Sequence, residues 1–140
     1  PITHKDMTRF NVTLKDGVDM VLWSLKNSLG GEILVPKTPS YKLLDLAKAI
    51  SPKSKIKIVG VRPGEKIHEE LITKSDSFST VDLGKYYVIL PASNTKIMKE
   101  YLKKKKGKKI ILQSYNLKDN EKFLTVKQIQ DLLKDYLKKN

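Results

Sequence analysis

The sequence predicts an α/β fold of short strands alternating with helices. Three observations carry that prediction: apolar residues recur at helical spacing in several segments, short β-branched runs lie between them, and glycine or proline stands at most of the junctions.

Arg9 to Leu14 reads as extended chain. Thr13 then caps a helix whose apolar positions Val18, Val21, Leu22 and Leu25 keep helical spacing until Gly30-Gly31 stops it, with Trp23 off that stripe. Glu32 to Val35 is a short apolar strand closed by Pro36, and Ser40 starts a second helix with Leu43, Leu44, Ala47 and Ile50 on one face until Pro52. Lys55-Ile56-Lys57-Ile58-Val59 alternates with period two, as a half-buried strand does. After the turn that follows it, Glu65 opens a helix carrying Ile67, Leu71 and Ile72. Thr73 to Gly84 is polar and reads as a loop, and Tyr86 to Leu90 reads as a strand ended by Pro91. A lysine-rich helix bearing Ile97, Met98, Tyr101 and Leu102 follows, and then a strand over Ile110 to Gln113. The last helix begins at the capping box Thr125-Val126-Lys127-Gln128 and carries the stripe Ile129, Leu132, Leu133, Tyr136 and Leu137.

At 140 residues, one compact unit is expected. The chain has no cysteine, so disulfides and thiolate metal sites are excluded, and a reducing cytoplasmic setting is compatible. Its two histidines, His4 and His68, cannot make a metal site alone. No apolar run approaches the ~20 residues of a membrane span. Pro1-Ile2-Thr3 reads like the interior of a longer protein, so a fragment is expected.

The net charge of +13 raises a nucleic-acid reading, yet Lys96 to Lys109 alone, with eight lysines and one glutamate, contributes +7 of it. The run Lys103 to Lys106 ends the lysine-rich helix, where cations complement the helix dipole and stay solvated. An anionic membrane surface and nucleic acid are the other partners such a segment suits, but no basic-aromatic recognition strand accompanies it, and no nucleic-acid partner is expected.

Chemistry concentrates in Gly60-Val61-Arg62-Pro63-Gly64-Glu65-Lys66. Pro63 fixes its own φ and pushes Arg62 toward extended backbone, while Gly64 permits a reversal. Arg62 and Glu65 then project from one turn. A planar guanidinium grips pyrophosphate oxygens bidentately, and a carboxylate accepts from donors such as ribose hydroxyls. A plain surface turn with an exposed ion pair has the same sequence. The cations are 26 lysines against two arginines, Arg9 and Arg62, which points to positions where a fork and not a point charge is wanted. Glu69-Glu70, adjacent on a helix, would diverge and could not act as a facing acid/base pair.

Met7-Thr8-Arg9-Phe10, Gly31-Glu32-Ile33-Leu34-Val35-Pro36-Lys37, Asp45-Leu46-Ala47-Lys48-Ala49 and the turn through Ile67-His68-Glu69, in this order, resemble the C-terminal part of the inverting UDP-N-acetylglucosamine 4,6-dehydratases. These are extended short-chain dehydrogenase/reductases of bacterial surface-sugar synthesis. The resemblance is dense over residues 1–91 and weaker after, although Phe123-Leu124-Thr125 also fits the family's tail. Membrane-anchored retaining relatives share the Arg-Pro-Gly-Glu-Lys turn, but Val35-Pro36-Lys37 looks more like the soluble inverting branch.

The resemblance implies a UDP-sugar-binding region over residues 1–91 and an extension over 92–140. By position, Arg9 and Arg62 would hold the UDP pyrophosphate, Glu65 the ribose, and Thr3 would lie beside the uracil. Asn11 departs from the family, which usually has an aromatic residue there. The family's cycle is oxidation at C4 onto NADP, loss of water across C5 and C6, and return of hydride to C6. The glycine loop, the tyrosine and lysine, and the acid/base pair for it would lie in an N-terminal Rossmann half outside this chain, so NADP would serve the complete enzyme and not bind here. The chain's seven glycines make no dinucleotide fingerprint, and Tyr101-x-x-x-Lys105 matches the catalytic spacing only because lysine fills Lys103 to Lys106. The complete enzyme is expected to be a cytoplasmic homo-oligomer. The alternatives are a non-catalytic nucleotide-sugar-binding or regulatory module, a split-enzyme partner, and a lysine-rich nucleic-acid binder.

Overall fold

The structure, a computed structural model, describes residues 1–91, 95–103, 105–110, 114–118 and 120–139. In chain order its elements are β1 (Thr8–Phe10), α1 (Leu14–Asn27), β2 (Ile33–Pro36), β3 (Ser40–Lys42), α2 (Leu43–Ile50), β4 (Glu70–Ile72), α3 (Lys74–Ser77), β5 (Thr80–Asp82), β6 (Tyr86–Ile89), α4 (Thr95–Lys103), β7 (Lys108–Lys109), β8 (Tyr115–Asn116) and α5 (Val126–Lys139). The α/β class is the one expected. The named strands all pair antiparallel, and the parallel contacts are the isolated bridges Ile2 to Ile58 and Ser40 to Phe123. Length suggested one compact unit, but the chain forms two. The first comprises Pro1–Asn11, Thr38–Glu69 and Leu117–Asn140, and the second comprises Val12–Lys37 and Glu70–Asn116.

In the second unit the sheet runs β2-β6-β5-β7, with Val35 opposite Tyr87 and Val81 opposite Val88. Alternation puts Tyr86, Val88 and Leu90 inward, where Val81, Val88, Leu90 and Tyr101 form a buried cluster lined by Leu34, Leu83, Ile97, Met98 and Leu102. The apolar face of α4 therefore covers the sheet, and each such side chain contributes about 1.5–3 kcal/mol. The edge strand β7 exposes two lysines, which discourages pairing with another strand.

Two expectations change in this unit. Thr73 to Gly84 is not a loop: it holds α3 and the inner strand β5. Several of its polar residues bond within the segment, and Ser77 and Thr80 are buried. Thr73 caps Asp76 N at 3.1 Å, Ser77 donates to Lys74 O at 2.7 Å, and the buried Thr80 hydroxyl donates to Asp76 O at 2.8 Å. Helix α1 has the expected capping box between Thr13 and Asp16, yet it buries none of its residues. Its stripe lies open, from Val18 at 49% exposed to Leu25 at 80%, while off-stripe Trp23 packs its ring 5.1 Å from Tyr86. Periodicity says which residues share a face but not what covers it. Ile111 to Gln113 of the expected last strand lie outside the described residues.

The first unit pairs β1 with β3, Arg9 opposite Tyr41. Ser40 does not start α2. It is a fully buried strand residue whose N–H donates to Lys122 O at 2.8 Å and whose carbonyl accepts from Leu124 N at 2.7 Å, so the helix begins at Leu43. Asn11 is held through its backbone, its N–H donating to Pro39 O at 2.8 Å. Helix α5 packs on α2, burying Ile129, and its Thr125–Gln128 capping box forms as expected. Leu132, Tyr136 and Leu137 of its stripe stay exposed. Lys55 to Val59 is extended but, among the described residues, pairs at a single bridge, Ile2 N to Lys57 O at 2.8 Å and Val59 N to Ile2 O at 2.9 Å, with Ile56, Ile58 and Val59 exposed. No helix opens at Glu65. The chain stays irregular through Glu69 and enters β4 at Glu70, because the backbone carbonyls of Ile67 and Glu69 bond to Thr8 and Leu117 instead of closing a helical turn.

Candidate functional site

The Arg62-Pro63-Gly64-Glu65 turn is tied at both ends. Glu65 N donates to Arg62 O at 3.0 Å, and Arg62 N donates to Glu65 Oε2 at 3.1 Å. Pro63 sits second, and Gly64 third with φ +79, the positive value that a type II turn requires there. Only glycine takes that angle without strain.

Strand β1 docks onto the segment that follows. Thr8 N donates to Ile67 O at 3.1 Å, and the buried Thr8 hydroxyl lies 2.7 Å from His68 Nδ1. Arg9 is thereby set beside the turn. Its Nη1 donates to Thr8 O at 2.6 Å and to Ile67 O at 3.3 Å, its Nη2 lies 4.0 Å from Glu65 Oε1, and its Nε lies 4.0 Å from Glu69 Oε1. Thr3, buried, donates to Glu65 Oε1 at 3.3 Å and approaches Met7 Sδ at 3.1 Å. The Arg9 and Glu65 side chains are 25% and 24% exposed, so their attraction is less screened than that of a surface pair, for which ~4 Å in water is worth about 1 kcal/mol.

Thr3, Arg9 and Glu65 therefore converge within the first unit. Arg62 joins them through its backbone, and its exposed guanidinium has no ion-pair partner among the described residues. One member was not foreseen. Glu69 faces Arg9 although the sequence reading placed it on a helix with Glu70, and the signal for it was an acid four residues beyond Glu65. One guanidinium, that of Arg9, and two carboxylates, those of Glu65 and Glu69, meet here, with the exposed Arg62 attached to them through its backbone. The cluster can offer fork donors to an anion and carboxylate oxygens to hydroxyl groups.

The other candidates are engaged structurally. His68 is satisfied by Thr8, and His4 Nδ1 accepts from Asp6 N at 3.1 Å. Tyr101 is fully buried in the second unit and donates to Glu32, so the Tyr101-x-x-x-Lys105 spacing presents no catalytic phenol. Gly30-Gly31, Gly84 and Gly107 precede strands, Gly60 precedes the arginine turn and Gly64 lies within it, and Gly17 lies inside α1; among the described residues no glycine loop opens onto a helix N-terminus, as a dinucleotide pyrophosphate needs. The described residues do not fit that cofactor. Among them there is no metal-binding cluster of three or more His, Cys, Asp or Glu, and no helix long and apolar enough to cross a membrane.

Residues 1–91 match the family described as "Polysaccharide biosynthesis protein". The chain belongs to the polysaccharide biosynthesis protein family. Within it the chain is 48% identical over 92 residues to the UDP-N-acetylglucosamine 4,6-dehydratase (inverting) of Campylobacter jejuni, covering 66% of this chain and 28% of that relative. It is 35% identical over 136 residues to the UDP-glucose 4-epimerase of Rickettsia akari, covering 94% of this chain and 40% of that one. The X-ray structure of Pen from Bacillus thuringiensis shares the fold, with a TM-score of 0.80 at 24% identity over 97% of this chain and 41% of that one. The family chain thus spans less than half the length of each of these relatives.

Proposed function

We propose that residues 1–91 bind the UDP moiety of a nucleotide sugar, as the substrate-binding part of an NADP-dependent, C5-inverting UDP-N-acetylglucosamine 4,6-dehydratase of surface-polysaccharide synthesis. The dinucleotide and the chemical steps belong to a Rossmann portion of the kind that extended short-chain dehydrogenase/reductases carry, and residues 92–140 extend the binding region. One observation carries the reading: Arg9 and Glu65, from distant parts of the chain, meet at a turn whose own arginine, Arg62, is exposed and has no ion-pair partner among the described residues. In it Arg9 and Arg62 neutralise the diphosphate, Glu65 accepts from the ribose hydroxyls, and Thr3 borders the base. Binding energy remote from the sugar would then position C4 to C6 for reaction.

A second reading is favoured by coverage. The dehydratase likeness spans 92 residues, whereas the epimerase likeness spans 136 and includes most of the C-terminal extension. Both readings share the UDP contacts and differ in the sugar and in the reaction carried out on it.

Calorimetric titration of the 140-residue chain with UDP, UDP-N-acetylglucosamine and UDP-glucose tests both. Binding of UDP that falls about tenfold in Arg62→Lys, with uridine binding unchanged, is the expected result, because a point charge cannot replace the fork. UDP affinity indifferent to substitution of both Arg9 and Arg62 would sink the reading. Preference between the two sugars decides dehydratase against epimerase. In the complete enzyme, Arg62→Lys should raise KM more than it lowers kcat.

A further inference from the structure

We infer that Glu69 is a positioning residue for Arg9: it fixes the plane of the guanidinium that the proposed site aims at a nucleoside diphosphate. The inference rests on that reading for its ligand, but its geometry stands apart from it. Both carbonyls that bond Arg9, Thr8 O and Ile67 O, take the same nitrogen, Nη1. A guanidinium tethered to its side chain at Nε and hydrogen-bonded to these carbonyls through Nη1 can still tilt about the line joining the two nitrogens. A charge on the Nε side resists that tilt, and the Glu69 carboxylate supplies it, 4.0 Å from Nε. Nη2 is then directed to the side where Glu65 Oε1 lies. At that separation the hold is electrostatic and not a direct hydrogen bond.

The backbone explains why this acid is available. Glu69 O accepts from Leu117 N at 2.9 Å, which anchors the residue just before β4, and the adjacent Glu70 is exposed and paired into that strand opposite Asn116. Of the two adjacent acids, Glu69 is the one that comes within ion-pair distance of Arg9. The charge balance agrees: Glu65 is already committed to Arg62 N and the Thr3 hydroxyl, and Glu69 has no such duty among the described residues. Two carboxylates beside Arg9 also lower its net attraction for anions, so the inference makes a signed claim: orientation outweighs repulsion.

The chain's two arginines make the test direct. With ¹⁵N-arginine labelling, the 140-residue protein shows two Nε–H resonances, and Arg62→Lys assigns them. In Glu69→Gln the Arg9 resonance should shift and exchange faster with water while that of Arg62 stays put, and Glu69→Asp should restore part of the effect. An Arg9 resonance that does not move in Glu69→Gln overturns the inference. Titration gives the second readout: Glu69→Gln should weaken UDP about tenfold and uridine less than about twofold. Tighter UDP binding, or equal losses for UDP and uridine, would also overturn it. If the unsubstituted chain fails to bind UDP at all, the nucleotide reading falls and the resonances still decide whether Glu69 orients Arg9. Glu69 is 40% exposed, so its variants should fold, and an unchanged melting temperature checks this.

Discussion

The Tyr101 hydroxyl donates to the carboxylate of Glu32, a residue 69 positions away in the chain, and the same carboxylate accepts from Leu29 N at 2.5 Å and Gly30 N at 2.7 Å. One acid thus ties α4 to the loop that ends α1. Burial pushes the Glu32 pKa up, but the Tyr101 hydroxyl and the backbone donors together outweigh it, and the group ends below its ordinary value of 4.5. A depressed folded value adds stability above pH 4.5 that is lost as pH falls through it. Tyr101 is shifted the other way, by burial first and then by Glu32, so its contribution is complete below its ordinary value of 10.0 and fades above it.

Tyr101→Phe should therefore destabilise the protein by about 1–3 kcal/mol at neutral pH, since it leaves a partly buried carboxylate short of a donor. Urea unfolding at a series of pH values checks the sign. The gap between the two proteins should narrow on acidification as Glu32 protonates, and a gap that widens would contradict this account.

Tyr86 presents the opposite case. Its ring is buried against Trp23, and its hydroxyl is buried with no hydrogen-bond partner among the described residues. Tyr86→Phe removes an unsatisfied polar atom and keeps the ring. It should be neutral or stabilise by up to about 1 kcal/mol, read as an unchanged or higher urea midpoint.

Gly107 has no room for a methyl group. A Cβ there would stand 2.3 Å from Val81 Cγ1, 2.9 Å from Leu83 Cδ2 and 3.1 Å from the Tyr101 carbonyl oxygen. Val81 is fully buried and β-branched, so it cannot swing aside. Gly107→Ala should cost about 1–3 kcal/mol of stability by thermal or urea unfolding.

Gly64 differs, because a Cβ would meet nothing within 4 Å and the penalty comes from φ +79 alone. Gly64→Ala should lower stability by about 1 kcal/mol. Under the proposed function it should also weaken UDP binding, since the turn carries both Arg62 and Glu65. Gly60→Ala, equally open and also at positive φ, is the control: similar strain outside the four-residue turn and a smaller loss of UDP affinity.

How much of this was legible can be judged from particular residues. Thr13 and Thr125 were readable as caps because a hydroxyl reaching an N–H three residues on is a local event. The turn at Pro63-Gly64 was readable for the same reason, and the apolar runs Glu32 to Val35 and Tyr86 to Leu90 were readable as strands, which form as Ile33–Pro36 and Tyr86–Ile89. Ser40, Thr80 and Glu69 were not. Ser40 looks like a cap and is a buried strand residue, Thr80 looks like loop and lines an inner strand, and Glu69 looks like helix surface and faces an arginine. For Ser40 and Glu69 the partner lies far along the chain, where no pattern within a short window can register it, while Thr80 bonds locally to Asp76 O and is made a strand residue by pairing with Ile89.

By itself the sequence determined the α/β class, the capping boxes, the arginine turn and the family likeness, because each rests on φ preferences, hydrogen bonds of three or four residues' reach, or the order of motifs along the chain. Tertiary structure alone decided that the chain forms two compact units, that α1 turns Trp23 and not its leucine and valine stripe to the sheet, and that Thr3, Arg9, Glu65 and Glu69 share one cluster. Burial and charge pairing are properties of two surfaces brought together, and a single stretch of chain holds only one of the two.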